Sequence, residues 1–193
     1  MRALMKDKII ETKKMIILEG LSRYFEQESF SGATMHDIAK FLNLSVGFVY
    51  KLFSSKDELY YAYLVYEIEK FYHHLCQECQ KIDNPHQCLV IFTKKKIEIF
   101  LSKRRAIDDV VLSDPLFFTK LNTPRHNAAK PLMELLTLWF DRLAIKGYPS
   151  FQLAYMFHGM VNGIVECWMN GGDVPHDPEG IVNAFLKGLE WNA

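Results

Sequence analysis

Apolar residues recur along this chain at intervals of three and four, and no stretch alternates with the two-residue period of a strand between hairpin turn residues. The pattern predicts helices throughout and no sheet. A first helix is expected from about Lys6 to Glu28, with Ile17, Leu21, Tyr24 and Phe25 on one face. The run Phe30-Ser31-Gly32-Ala33 breaks it. Thr34 then stands as an N-cap, with Asp37 three residues on as its capping-box partner. The short helix so opened, Met35 to about Leu42, buries Ile38, Ala39 and Leu42. Asn43 follows, and asparagine tolerates the left-handed backbone of a tight helix end. Ser45 caps a third short helix, Val46 to about Phe53, and Ser54 or Ser55 opens a fourth that reaches about Lys81.

Beyond Asn84-Pro85 the periodicity predicts a helix over about His86–Lys103 and a ragged one over about Ala106–Leu112, before Asp114-Pro115 interrupts the pattern. Another covers about Asn127–Lys146 and ends at Gly147. A further one, Ser150 to about Asn170, is stopped by Gly171-Gly172. The last starts at Asp177-Pro178, a cap followed by a proline in the first helical position, and runs to the terminus. The fold class is therefore all-α, with about nine helices, and there is no internal repeat.

Composition narrows the function. In 193 residues, 49% are hydrophobic and 23 Lys+Arg balance 23 Asp+Glu, which excludes a disordered chain and a basic coat for nucleic acid, though not a local basic face. Five of the nine bases in residues 1–60 fall in the first 14, as either an arm on phosphates or a solvated terminus. Four cysteines do not make a disulfide scaffold, and the N-terminus lacks the apolar core of a signal peptide, so a cytoplasmic protein is expected. Gly147–Val165 carries no Asp, Glu, Lys or Arg, but Gln152, His158 and Asn162 fit a buried helix better than a membrane span.

Two short helices joined by a tight turn and braced by a longer preceding helix describe a helix-turn-helix. The residues sharpen this. Thr34-Met35-x-Asp37-Ile38-Ala39, Leu44-Ser45-x-Gly47-x-Val49-Tyr50 and Phe53-x-Ser55-Lys56-x-Glu58-Leu59 fall, without a gap, within positions 17 to 59. That segment closely resembles the DNA-binding region of the tetracycline-repressor (TetR) family. The resemblance implies an all-helical homodimer with an N-terminal DNA reader and a larger C-terminal body for ligand binding and dimerisation. The expected division is 6–60 for the reader, with the helix-turn-helix at about 34–53, and 61–193 for the body.

The expected DNA contacts are Thr34, Ser45, Val46, Gly47, Phe48, Tyr50, Lys51 and Lys56. Thr34 offers a hydroxyl and an N–H at a helix start, Gly47 permits close approach, Tyr50 presents a hydroxyl, and Lys56 sits in a first helical turn suited to a phosphate. Val46, Phe48 and Leu52 depart from the basic, polar or small residues usual in the family, and Ser29 and Asn43 replace customary glycines. The recognition helix is thus unusually apolar, with Ser45, Tyr50 and Lys51 as its polar reach and thymine-methyl contacts open to Val46 and Phe48. Part of its specificity would then come from DNA shape.

The C-terminal body is rich in large apolar side chains. Phe92, Phe117, Trp139, Tyr155, His158 and Asn162 are the candidates for ligand contact, the polar ones because a buried polar group on an apolar helix needs a partner. Phe151, Phe157, Val161, Val165, Trp168, Ile181, Phe185 and Leu189 are expected at a dimer interface formed by the last two helices. His73, His74, Cys76, Cys79, His86 and Cys88 lie close in sequence, but no second ligand pair follows, and no metal or other cofactor is expected. No catalytic motif is present, so an enzyme is not expected. The sequence points to a transcriptional regulator, a repressor released from double-stranded operator DNA by a small, largely apolar effector. A helical carrier or interaction protein that keeps the helix-turn-helix as a structural corner is the competing reading.

Overall fold

The structure, a computed structural model, describes residues 2–111, 122–123 and 126–189. Eight helices are found among them: α1 Arg2–Tyr24, α2 Met35–Phe41, α3 Val46–Leu52, α4 Lys56–Cys79, α5 Pro85–Val111, α6 Lys130–Leu143, α7 Ser150–Met169 and α8 Pro178–Gly188. Two-residue antiparallel strands, β1 Asn122–Thr123 and β2 His126–Asn127, form a hairpin too small to be a layer. The fold is all-α, as the periodicity requires. No helix among the described residues is long and apolar enough to cross a membrane.

Residue contacts divide the chain into two compact units, Met1–Glu69 with Lys103–Asn127, and Lys70–Ser102 with Ala128–Ala193. Helices α4 and α5 each belong to both. The core of the first unit gathers Ile17 and Leu21 of α1, Phe25 just after it, Ile38 and Ala39 of α2, Val49 of α3, Phe53, and Leu59 and Tyr63 of α4. Phe30 stacks on Tyr60 with ring centres 3.9 Å apart, and Phe25 lies 5.0 Å from Tyr63. Gly20 lets α1 and α2 meet, because a Cβ there would stand 2.3 Å from Leu42 Cδ2. The α2 end has the expected left-handed residue: Asn43 has φ 54°, and Leu44 N–H donates to Ala39 O at 2.8 Å, satisfying a terminal carbonyl.

Several boundaries differ from those the sequence suggests. Helix α5 runs unbroken where two helices are expected, since Lys103-Arg104-Arg105-Ala106 contains no breaker and the Lys103 side chain is held in the interior. Its ammonium donates to Ser22 O, to Ser22 Oγ at 3.1 Å and to Glu26 Oε1 at 3.0 Å. Helix α6 stops at Leu143 because Ala144 takes φ 52°, ahead of Gly147. Ser55, rather than Ser54, caps α4, accepting from Glu58 N at 3.0 Å, while Glu58 reaches back to Ser54 N at 2.7 Å. The last helix starts as expected, with Asp177 accepting from Gly180 N at 2.8 Å.

The second unit packs α6, α7 and α8 with the adjoining parts of α4 and α5 around Phe71, Phe92, Phe140, Phe157 and Phe185, all buried. Successive ring centres in this cluster lie between 5.2 and 5.9 Å apart. His86 Nε2 and Asn183 Oδ1, 2.8 Å apart, tie α5 to α8. Each ring removes a large apolar area from water, which is the main favourable contribution to this unit.

Candidate functional site

A seven-residue helix has too few internal hydrogen bonds to be stable alone, so α3 is held by its anchors. Val49 and Phe53 are fully buried, and they turn Gly47, Tyr50 and Lys51 to solvent. Tyr50 is 51% exposed, and its hydroxyl has no hydrogen-bond partner among the described residues. A Cβ on Gly47 would meet nothing within 4 Å, so the fold itself leaves room there. Ser45 Oγ accepts from Phe48 N at 3.2 Å, which leaves its O–H free to donate outward. Val46 and Phe48 are half-buried against the unit's core, so the helix turns only part of each outward.

Two other expected DNA contacts are already engaged. Thr34 and Asp37 form a complete capping box: Asp37 N donates to Thr34 Oγ1 at 3.1 Å, and Thr34 N and Oγ1 both donate to Asp37 Oδ2. These bonds hold the Asp37 carboxyl below its usual range. Both Thr34 donors expected to meet a phosphate therefore face a carboxylate. Lys56 is engaged as well. Its ammonium donates to Ala33 O at 2.8 Å and Ser31 O at 3.4 Å, and it sits 4.3 Å from the Phe30 ring centre, clamping the turn that precedes α2. In exchange the structure brings Lys13 to the recognition helix, 5.5 Å from the Phe48 ring centre. The signal was its place one turn before Ile17 on α1.

Residues 17–63 match the family model described as bacterial regulatory proteins, tetR family. The helix-turn-helix unit is a TetR-family domain. No curated protein matches the chain. Among solved structures, a TetR-family transcriptional regulator from Pectobacterium atrosepticum is 16% identical, covers 95% of this chain and 93% of its own, and has a TM-score of 0.68. The transcriptional regulator FadR from Bacillus subtilis, in complex with stearoyl-CoA, is 16% identical over 91% of this chain and 96% of its own, with a TM-score of 0.67. A protein from Saccharomonospora viridis in complex with choline is 15% identical over 93% and 94%, with a TM-score of 0.64. These likenesses establish that the chain has the fold of a TetR-family regulator.

In the second unit the expected ligand residues separate. Phe92 is fully buried in the aromatic cluster, with its ring centre 6.3 Å from that of His158. His158 Nδ1 lies 3.3 Å from Asn162 Nδ2. Tyr155 is 60% exposed on the outer face of α7, and Phe117 lies outside the described residues. Trp139 is buried but lines an open groove of about 530 Å³, together with Cys76, Cys79, Ile82, Leu135 and Leu138. Burial, with the neighbouring Cys88 thiol, pushes the Cys79 thiol up to about 12, which disfavours a reactive thiolate. No group of three His, Cys, Asp or Glu among the described residues is placed to hold a metal ion.

Phe157, Val161, Val165 and Trp168, expected at a dimer interface, lie instead inside the unit, with Phe185 also buried. Each successive turn of α7 places one of these residues inward. Ile181 and Leu189 are half-buried, and Phe151 is 55% exposed. The outward face of α7 carries Phe151, Gln152, Tyr155, Met156, Gly159, Gly163, Glu166 and Cys167.

The residue that sequence reasoning missed is Lys96. It lies on the inward stripe of α5, seven residues after Leu89 and four after Phe92, and is 8% exposed. Its ammonium sits 5.4 Å from the Phe92 ring centre and has no hydrogen-bonding or carboxylate partner among the described residues. Burial pushes its pKa down to about 7; burial and the neighbouring Lys96 charge push His158 down to about 3. Below pH 7 both the folded and the unfolded chain protonate Lys96, so the folded state bears the whole cost of a buried cation. As pH rises above 7 the unfolded chain alone holds the extra proton, and the native state gains stability. Lys96→Met is therefore expected to raise the melting temperature at pH 6–7 by roughly 2–8 °C. That advantage should shrink between pH 7 and the ordinary lysine range, as checked by thermal denaturation across pH.

Proposed function

We propose that the protein is a ligand-responsive DNA-binding transcriptional regulator, most simply a cytoplasmic repressor released from its operator by a small, largely apolar effector. The observation that carries this reading is a TetR-family α3 anchored through Val49 and Phe53, with Gly47, Tyr50 and Lys51 left outward. Residues 6–60 are assigned to DNA and 61–193 to ligand and dimerisation. Helices α4 and α5 each run from one unit into the other, which makes them the elements through which an effector would act. Release requires the effector to prefer the conformation whose recognition helices are misaligned; a preference of about 100-fold, near 2.7 kcal/mol, is enough for visible derepression. The apolar effector class fits the aromatic interior of the second unit. Among the structural neighbours, one is bound to stearoyl-CoA and another to choline.

The DNA reading is tested by titrating a fragment from the gene's own upstream region. Tyr50→Ala and Lys51→Ala are expected to weaken binding with unchanged melting temperature, because both side chains are exposed. Lys51→Ala should also lower the salt slope by about one. Lys56→Met should instead lose about 1–2 kcal/mol of folding stability through its clamp. Wild-type affinity in both exposed variants would favour the carrier reading.

Two recognition helices must meet major grooves about one turn apart, roughly 34–36 Å, so the reading requires a two-fold homodimer. The proposed contact is the outward face of α7, Phe151, Tyr155 and Met156, rather than the inward residues of that helix. Light scattering at micromolar concentration is expected to give a dimer for the wild type. The Phe151→Asp/Tyr155→Asp pair should give a folded monomer. A monomeric wild type contradicts the assignment.

A further inference from the structure

Helix α1 is longer than its packing requires. At Gly20 it meets Leu42 at the end of α2. At Lys13 and Lys14 it lies beside α3, with the two ammonium groups 5.5 Å and 5.4 Å from the ring centres of Phe48 and Phe53. Towards Met5 the helix runs on past α3, and from Met5 to Lys13 every residue is exposed except the half-buried Ile10. Packing therefore does not dictate where this stretch places its charges, yet they are segregated. At 100° per residue, Lys6 and Lys13 fall within about 20° of one another, while Asp7 and Glu11 lie roughly 100–160° away. Neither Lys6 nor Lys13 has an acid three or four residues off, the spacing at which a solvated helix pairs its charges. Lys8 and Lys14, by contrast, each stand three residues from Glu11. Among the described residues neither Lys6 nor Lys13 is in an ion pair.

The side that Lys6 and Lys13 share is the one turned to the recognition helix, because Lys13 reaches the Phe48 ring. Phe48 in turn flanks the outward face of α3, about 60° around that helix from the exposed Lys51. Lys51, Lys13 and Lys6 thus form one basic edge that begins on α3 and continues along α1. We propose that the Lys6–Lys13 side of α1 is a second DNA-contacting surface, lying on the phosphates that flank the groove entered by α3. The proposal rests on the reading of α3 as a DNA reader and extends it to a different element. Seven residues set the two lysines about 10 Å apart along the helix axis, so they meet different phosphates, which recur about every 3.4 Å along each strand. An ammonium on a flexible stem suits a phosphate and reads no base. Helix α3 carries a single base, Lys51, so α1 supplies the electrostatic part of binding that α3 lacks.

The test measures binding of the full chain to two labelled duplexes of equal length, the gene's own upstream region and its scrambled sequence, over about 50–200 mM salt. Lys6→Gln/Lys13→Gln is expected to weaken binding to both by the same factor, roughly tenfold, and to lower the salt slope by about two. Lys6→Gln alone should lower the slope by about one, free of any effect of the Lys13 contact with Phe48. Lys8→Gln removes the same charge from the same helix about 160° from Lys6, and should stay within about twofold of wild type with its slope unchanged. Wild-type affinity and slope in the double variant overturn the proposal, as does an equal loss in Lys8→Gln. In either case the α3 reading stands, since Tyr50→Ala and Lys51→Ala test it separately. Failure of the wild type to bind either duplex overturns the α3 reading, and this proposal with it.

Discussion

The burial of Val49 and Phe53 is the constraint on which the reading of the first unit depends. Two turns of helix cannot set their own orientation, so the rotation of α3 about its axis is decided by which side chains enter the core. Once those two are inside, the 100° step between residues sends Gly47, Tyr50 and Lys51 outward. The neighbouring devices serve the same end. The Thr34–Asp37 box starts α2, Asn43 ends it in a left-handed turn, and Lys56 ties the start of α4 to the carbonyls ahead of α2. Residues that look like phosphate contacts in the family pattern thus spend their donors on building the platform. The face left outward is small and weakly charged, with Lys13 of α1 beside Phe48.

The second unit is organised differently. Its aromatic interior is bordered by Lys96, whose ammonium lies over the Phe92 ring, whereas Lys103 on the same helix is held by the acceptors of Ser22 and Glu26.

Much of this was legible in the sequence. The helical period gave the fold class, the capping residues gave the starts of α2, α3 and α8, and the motif from Thr34 to Leu59 gave the helix-turn-helix. The rest was not legible because a local pattern can have more than one tertiary solution. A capping threonine and a first-turn lysine look alike whether they face a phosphate or their own backbone. The apolar residues of α7 look alike whether they face the unit's interior or a second chain, and the structure puts Phe157, Val161, Val165 and Trp168 inside. Lys96 was hidden in the run Lys94-Lys95-Lys96, which reads as a solvated charge cluster until its spacing from Leu89 and Phe92 is counted. Two of those three lysines do lie in ion pairs, Lys94 with Glu98 and Lys95 with Glu78.

The central claim is that paired copies of α3 read DNA, and selection of bound fragments from a random duplex pool by the purified protein tests it most directly. The account predicts enrichment of one sequence with two inverted half-sites, their centres separated by about one helical turn or a multiple of it. Recovery of unenriched DNA, or of a single half-site without its inverted partner, would contradict it.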